Sequence, residues 1–190
     1  FVRDYVASAI RANARYQGTY PLFTALGRPL LAKLAVEAAR AHDADTIAHG
    51  CTGKGNDQVR IEATVATLAP ELKVIEELAY AAEHGIPVSS SVERPYSLDD
   101  NLWGRSSEGG VIEDPANIVP DDVCQLVTPP HLAPDRVEDV VIAFKDGLPI
   151  ALNGEELGLV DLIQAAAAIA ARNGVGIMDN VEDRVVGLKV

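Results

Sequence analysis

A chain of 190 residues, 48% of them hydrophobic, can bury one large core or parts of two and reads as a soluble globular protein. Its formal charge of -12 argues against nucleic acid, whose phosphate backbone needs clustered Lys and Arg, so any anionic ligand must be met locally by a few placed cations and backbone dipoles. Two cysteines without CxxC or Cys/His spacing suit a reducing cytosol, and no apolar run has the length and purity to cross a membrane.

From Val2 to Ala14, Val2, Tyr5, Val6, Ala9, Ile10 and Asn13 recur at helical spacing, which predicts a helix packed on a sheet. QGTYPLFTALGRP breaks that pattern. Tyr20 is held out of the α region by Pro21, so this is an extended loop that either presents the tyrosine hydroxyl or packs its ring. Pro29 suits a first helical position, with Leu30, Leu31, Leu34 and Ala38 as the inner face of a helix ending near His42.

Ala44 to Ile47 then reads as a short buried strand, followed by AHGCTGKGNDQVR from Ala48 to Arg60. Gly50, Gly53 and Gly55 alternate there with Thr52, Lys54, Asn56, Asp57 and Arg60, and Val59, Ile61, Val65 and Leu68 continue as a helical stripe. A strand, a glycine loop and a helix start bring backbone N–H groups close to a ligand's negative charge. A Walker loop is excluded, because Gly55 stands where Ser or Thr should bind magnesium and no earlier glycine has the required spacing. A catalytic thiol at Cys51 would need a base, for which His49 is the neighbour in sequence.

Leu72 to Ile75 predicts the next strand, Glu76 to His84 a helix stopped by Gly85, and Ile86 to Val88 another strand. This βαβα order predicts a doubly wound parallel sheet with ligands at the carboxyl ends of its strands. The abutment of Ile75 and Glu76 leaves no room for a turn, so residues are expected to be missing from the numbered chain at that point. A polar stretch at Ser89 to Arg94 predicts a domain boundary, and Pro95 to Asp135 reads as a long ordered connector. Arg136 to Phe144, the turn Lys145 to Gly147, and Leu148 to Leu152 predict a hairpin, with a second turn at Asn153-Gly154. Leu159 to Ala171 predicts an alanine-rich helix ended by Asn173-Gly174, and Val181 to Lys189 a final strand.

GCTGKGNDQVR from Gly50 to Arg60, PYSLDDNLWGRS from Pro95 to Ser106 and VEDRVVGLK from Val181 to Lys189 together resemble, in order, the argininosuccinate synthase family. The resemblance covers nearly the whole chain but only the middle of the family's sequence. It implies an adenine nucleotide alpha-hydrolase-like α/β domain over residues 1–90 and part of an α+β synthetase domain over 91–190. It also implies ATP-dependent joining of L-citrulline to L-aspartate in arginine biosynthesis, through a citrullyl-adenylate, with release of AMP and pyrophosphate. Mg2+ is expected to arrive with ATP, with no prosthetic group, and a cytoplasmic homotetramer is expected.

Carried over residue by residue, the resemblance implies citrulline contacts at Tyr20, Asn56, Arg60, Ser97, Ser106 and Glu182. It implies aspartate contacts at Thr52, Asn56 and Asp57, and nucleotide contacts at Gly50, Cys51, Gly53, Lys54 and Gly55. Taken alone, Ser97 is equally a cap or turn serine, Trp103 a packed aromatic, Glu182 a solvated edge charge, Lys54 an exposed turn lysine, and Asp99-Asp100 a solvated pair rather than a metal site. Ile177 and Asn180 depart from a family stretch that more often carries Arg and a hydrophobic residue. The family's Ser-Gly-Gly-x-Asp-type pyrophosphate loop would precede Phe1, so these residues by themselves are not expected to turn over ATP. Two other readings compete: a non-catalytic module that binds amino acid or nucleotide, and an ATP pyrophosphatase that adenylates a different acceptor.

Overall fold

The computed structural model describes residues 1–51, 56–76, 84–85, 96–180, 182–184 and 187–189. The predicted helix after Glu76, the strand at Ile86 to Val88 and the boundary at Ser89 to Arg94 lie outside the described residues, apart from the turn at His84 and Gly85.

The first helix is shorter than its periodicity predicts. A π-helical turn, Val2–Val6, runs into helix α1, Ala7–Arg11, and Asn13 has a φ of 46°. Both pieces pack toward the far end of the chain, against the strand Leu148–Leu152 and the helix Leu159–Arg172. Helix α2 spans Phe23–Ala41, so its start lies ahead of the expected Pro29, which sits inside the helix. Its buried stripe is Ala32, Val36 and Ala39, while Leu31 and Leu34 are about half exposed and Ala38 faces solvent. Small side chains on the inner face allow close approach to the neighbouring helix, which the leucine pattern did not anticipate.

Strand β1, Thr46–His49, leads through the glycine stretch to helix α3, Asn56–Leu68, and on to strand β2, Lys73–Glu76. β1 and β2 pair in parallel with Ile47 opposite Val74 and His49 opposite Glu76, so Glu76 belongs to the strand and not to a helix start. Ala32, Val36 and Ala39 of α2, Ile47 of β1, Ile61 and Val65 of α3, and Ala69 after it form one core, with Leu72 and Val74 packed against it. Leu68, expected on the α3 inner stripe, is 42% exposed.

The segment read as a connector contains an antiparallel hairpin, β3 (Ser97–Asn101) and β4 (Gly104–Glu108), so Ser97 is a strand residue rather than a helix cap. Its polar composition hid the alternation: one face carries Ser97, Asp99, Asn101, Gly104 and Ser106. Strands β5 (Ile142–Lys145), β6 (Leu148–Leu152) and β7 (Glu155–Glu156) form a meander. Asp146 and Gly147 (φ 51° and 76°) and Asn153 and Gly154 (φ 50° and 87°) form its tight turns, as the dipeptides predict. Helix α4, Leu159–Arg172, ends at Asn173, and Gly174 follows with a φ of 69°. The expected final strand is two short antiparallel strands, β8 (Glu182–Arg184) and β9 (Gly187–Lys189).

Candidate functional site

The site gathers around the first two turns of α2. The Tyr16 N–H donates to the Tyr20 carbonyl at 2.8 Å, closing a small loop that fixes Tyr20 ahead of the helix. Leu22 then takes a left-handed φ of 66°, a conformation that persists in a leucine only when neighbours hold it. Trp103 Nε1 holds the preceding residue by donating to the Pro21 carbonyl at 3.0 Å, and Asn101 Nδ2 donates to the Phe23 carbonyl at 3.0 Å. Trp103 is therefore a packed, hydrogen-bonded residue of the hairpin turn.

The first N–H groups of a helix have no partner within it. One of them, the Thr24 N–H, donates to Tyr20 Oη at 3.1 Å, so the tyrosine hydroxyl acts as the cap. The Thr24 hydroxyl, on a buried residue, shares a hydrogen bond of 3.1 Å with Ser106 Oγ on β4. One helical turn on, Arg28 pairs with Asp57 through Nε at 3.1 Å and with Asp99 of β3 through Nη2. Asp57 lies in the first turn of α3, where a carboxylate is favoured by the helix dipole, and its other oxygen accepts from Arg60 Nη1 at 2.8 Å. Asp99 lies directly opposite Ser106 in the hairpin. Tyr20, Thr24, Ser106, Asp99, Arg28, Asp57 and Arg60 thus form one connected set.

Four of the residues implied by resemblance are joined here: Tyr20, Ser106, Asp57 and Arg60. Asn56, 8% exposed, opens α3 beside Asp57. Ser97 is on the same hairpin face as Asp99 and Ser106 but exposed. Glu182 stands in β8 opposite Lys189, and Thr19 Oγ1 donates to Asn180 Oδ1 at 3.1 Å, which ties the approach to β8 to the Tyr20 loop. Gly50 follows β1 with nothing within 4 Å of the place a Cβ would take. Thr52, Gly53, Lys54 and Gly55 lie outside the described residues.

The expectation that Asp99 and Asp100 are solvated is corrected for Asp99, which is mostly shielded and paired with Arg28; Asp100 is exposed and also pairs with Arg105. Sequence reasoning missed Thr24 and Arg28, although two polar residues four apart in the otherwise apolar TALGRPLLA would share one helix face.

His49 is buried at the end of β1, and its Nδ1 accepts the backbone N–H of Cys51 at 3.3 Å, which leaves the proton of the neutral ring on Nε2. Burial, with Asp121 and Asp122 nearby, raises the Cys124 thiol pKa and keeps it protonated. Among the described residues no three His, Cys, Asp or Glu side chains group to hold a metal, and no helix is long and apolar enough to cross a membrane.

The profile of the arginosuccinate synthase N-terminal HUP domain matches residues 1–87, and that of the arginosuccinate synthase C-terminal domain matches residues 96–190. The chain belongs to the argininosuccinate synthase family. Over its whole length it is 55% identical to an argininosuccinate synthase of Rubrobacter xylanophilus, covering 49% of that protein. It is 49% identical to those of Streptococcus thermophilus and Chlorobium limicola, covering 50% of each. The chain thus spans about half the length of the curated relatives it matches. The alignment with the Rubrobacter protein runs over 200 positions for 190 residues, so that argininosuccinate synthase carries residues inside the matched span that this chain lacks. Its first part is a HUP domain, the nucleotide alpha-hydrolase-like class expected from the resemblance, and the mixed helix and sheet architecture agrees with an α/β assignment.

Proposed function

We propose that the intact protein joins L-citrulline to L-aspartate at the expense of ATP, releasing AMP and pyrophosphate. The observation that carries this reading is the match of both family domains, in order, along the same chain. In this reaction the ureido oxygen of citrulline attacks the α-phosphorus of ATP and pyrophosphate leaves. The aspartate amine then attacks the activated carbon and AMP leaves. No side chain becomes covalently attached, so the protein's task is positioning and charge stabilisation. A hydrogen-bonded, charge-paired set without an activated nucleophile suits that task.

On this reading Arg60 takes the citrulline carboxylate as a two-pronged donor, with Asn56, Tyr20, Ser97, Ser106 and Glu182 as further citrulline contacts. Asp57 takes the ammonium of aspartate, and Thr52 and Asn56 its carboxylates. Gly50, Cys51, Gly53, Lys54 and Gly55 approach the nucleotide, which enters with Mg2+ as substrate, and no prosthetic group is needed. Residues 1–90 are assigned to the nucleotide domain and 91–190 to the synthetase domain. A cytoplasmic homotetramer goes with the reading and rests on the family resemblance.

The test is AMP formation by the intact purified protein with each amino acid present or omitted. AMP that depends on both citrulline and aspartate is the expected result. AMP with another acceptor in place of citrulline would reassign the substrate, and no AMP under any combination would leave a non-catalytic binding module.

A further inference from the structure

We infer that Thr24 is a positioning residue of the amino-acid site, locking Tyr20 and Ser106 into one geometry; the ligand involved, citrulline, rests on the functional reading above. Thr24 is 7% exposed, and its backbone N–H and its hydroxyl are each directed at a residue assigned to that ligand. Its backbone N–H reaches Tyr20 Oη and its hydroxyl reaches Ser106 Oγ, each at 3.1 Å. One residue thereby connects the loop before α2 with strand β4, two segments 82 positions apart from Thr24 to Ser106.

The protons decide what each group can offer. A phenol oxygen that accepts a backbone N–H keeps its own proton free, so Tyr20 is held as a donor toward an acceptor oxygen, such as a carboxylate or ureido oxygen. The two hydroxyls share a single hydrogen bond, so one gives its proton to the other. With Thr24 as donor, Ser106 retains a proton for the ligand; with Ser106 as donor, its lone pairs face a ligand N–H. Without the threonine hydroxyl, Ser106 would lose this anchor and rotate freely about χ1.

The experiment is steady-state kinetics of the intact protein with Thr24→Val, which keeps shape and backbone N–H but removes the hydroxyl, and Thr24→Ser, which keeps the hydroxyl. Loss of one neutral hydrogen bond predicts a citrulline KM raised by up to about tenfold in the valine variant. ATP and aspartate KM should stay within about twofold, and the serine variant should stay near the unsubstituted protein. Where the valine form does not fold, Thr24→Ala, which cannot clash, carries the same expectation. An unchanged citrulline KM, a parallel rise in all three KM values, or failure of serine to restore it overturns the positioning role. An unsubstituted protein that forms no AMP with citrulline refutes instead the functional reading and, with it, the ligand named here.

Discussion

Gly104 is the position where the seating of the hairpin on α2 can be tested most directly. An alanine Cβ there would stand 2.4 Å from Phe23 Cδ1 and Cε1 and 2.7 Å from Cγ, far inside van der Waals contact. The ring has little freedom to yield. It meets Tyr20 edge-on, with centroids 5.2 Å apart and planes at 86°, and its own backbone carbonyl is held by Asn101. Overpacking of this kind costs about 1–3 kcal/mol, and loss of the aromatic pair adds about 0.5–1.5 kcal/mol. Alanine at a φ it can accept offsets about 0.4–1 kcal/mol by restricting the unfolded chain. The expected net loss for Gly104→Ala is therefore about 2 kcal/mol in urea unfolding of the intact protein. In a Phe23→Ala background the clash has no partner, and the same substitution should cost less than about 0.5 kcal/mol. A neutral Gly104→Ala, or additivity with Phe23→Ala, would refute the contact on which the hairpin's placement rests.

Arg28→Ala removes the guanidinium shared by Asp57 and Asp99, both less than one-fifth exposed, and should cost about 1–3 kcal/mol, between an exposed and a buried pair. Adding Asp99→Ala should recover part of that loss in denaturant unfolding, and strict additivity would show that the two residues do not interact. Gly50→Ala meets open space at a φ that alanine tolerates, so stability should change by less than about 0.5 kcal/mol. A selective rise in ATP KM would then report close approach of the nucleotide, and unchanged kinetics would remove Gly50 from the site. Glu138 is held below the usual carboxylate range chiefly by hydrogen bonds from Arg172 and Asn173 at the end of α4. The unfolded chain therefore binds this proton more readily. The contribution is present above the ordinary glutamate pKa of about 4.3 and is lost as pH falls through and below it. Glu138→Gln should flatten that acid-side loss in unfolding curves taken between about pH 3 and 6, and an unchanged slope would show that the pairing does not matter to stability.

The turns were legible wherever a residue type fixes its own backbone. Asp146-Gly147 and Asn153-Gly154 adopt the positive φ values that mark tight turns, and Gly174, after Asn173, the positive φ that marks a helix end. The β1, α3 and β2 segments were legible too, because an apolar strand and a helical stripe flank the glycine run. The hairpin β3–β4 was not, since its inner face is Ser, Asp, Asn and Gly, and polar alternation leaves no hydrophobic trace. Resemblance pointed to Tyr20, Ser106, Asp57 and Arg60, but not to the residues that connect them: the four-residue spacing of Thr24 and Arg28 marks a shared helix face without naming its partners, and Asp99 is one of two adjacent acids. What identifies them is long-range pairing: Thr24 with Ser106, and Arg28 with Asp99.

Local rules place the start of α2 at Pro29, because proline inside a helix lacks the amide donor and opposes the turn before it by about 3 kcal/mol. The helix nevertheless begins at Phe23. The extra residues, Phe23 to Arg28, are the ones that hold the hairpin and the start of α3. The Phe23 carbonyl takes Asn101, Thr24 takes Ser106, and Arg28 takes Asp99 and Asp57. Tertiary contact therefore makes this helical segment, and the segment in turn assembles the site. Amide hydrogen exchange across α2 can separate this cause from intrinsic helix propensity. In Gly104→Ala, protection should fall over Phe23 to Arg28 while Leu30 to Ala41, anchored by Ala32, Val36 and Ala39 in the core with α3 and β1, keep theirs. Uniform loss along α2 would mean that the helix stands or falls as one unit, and that Pro29 does not divide a site-forming half from a core-forming half.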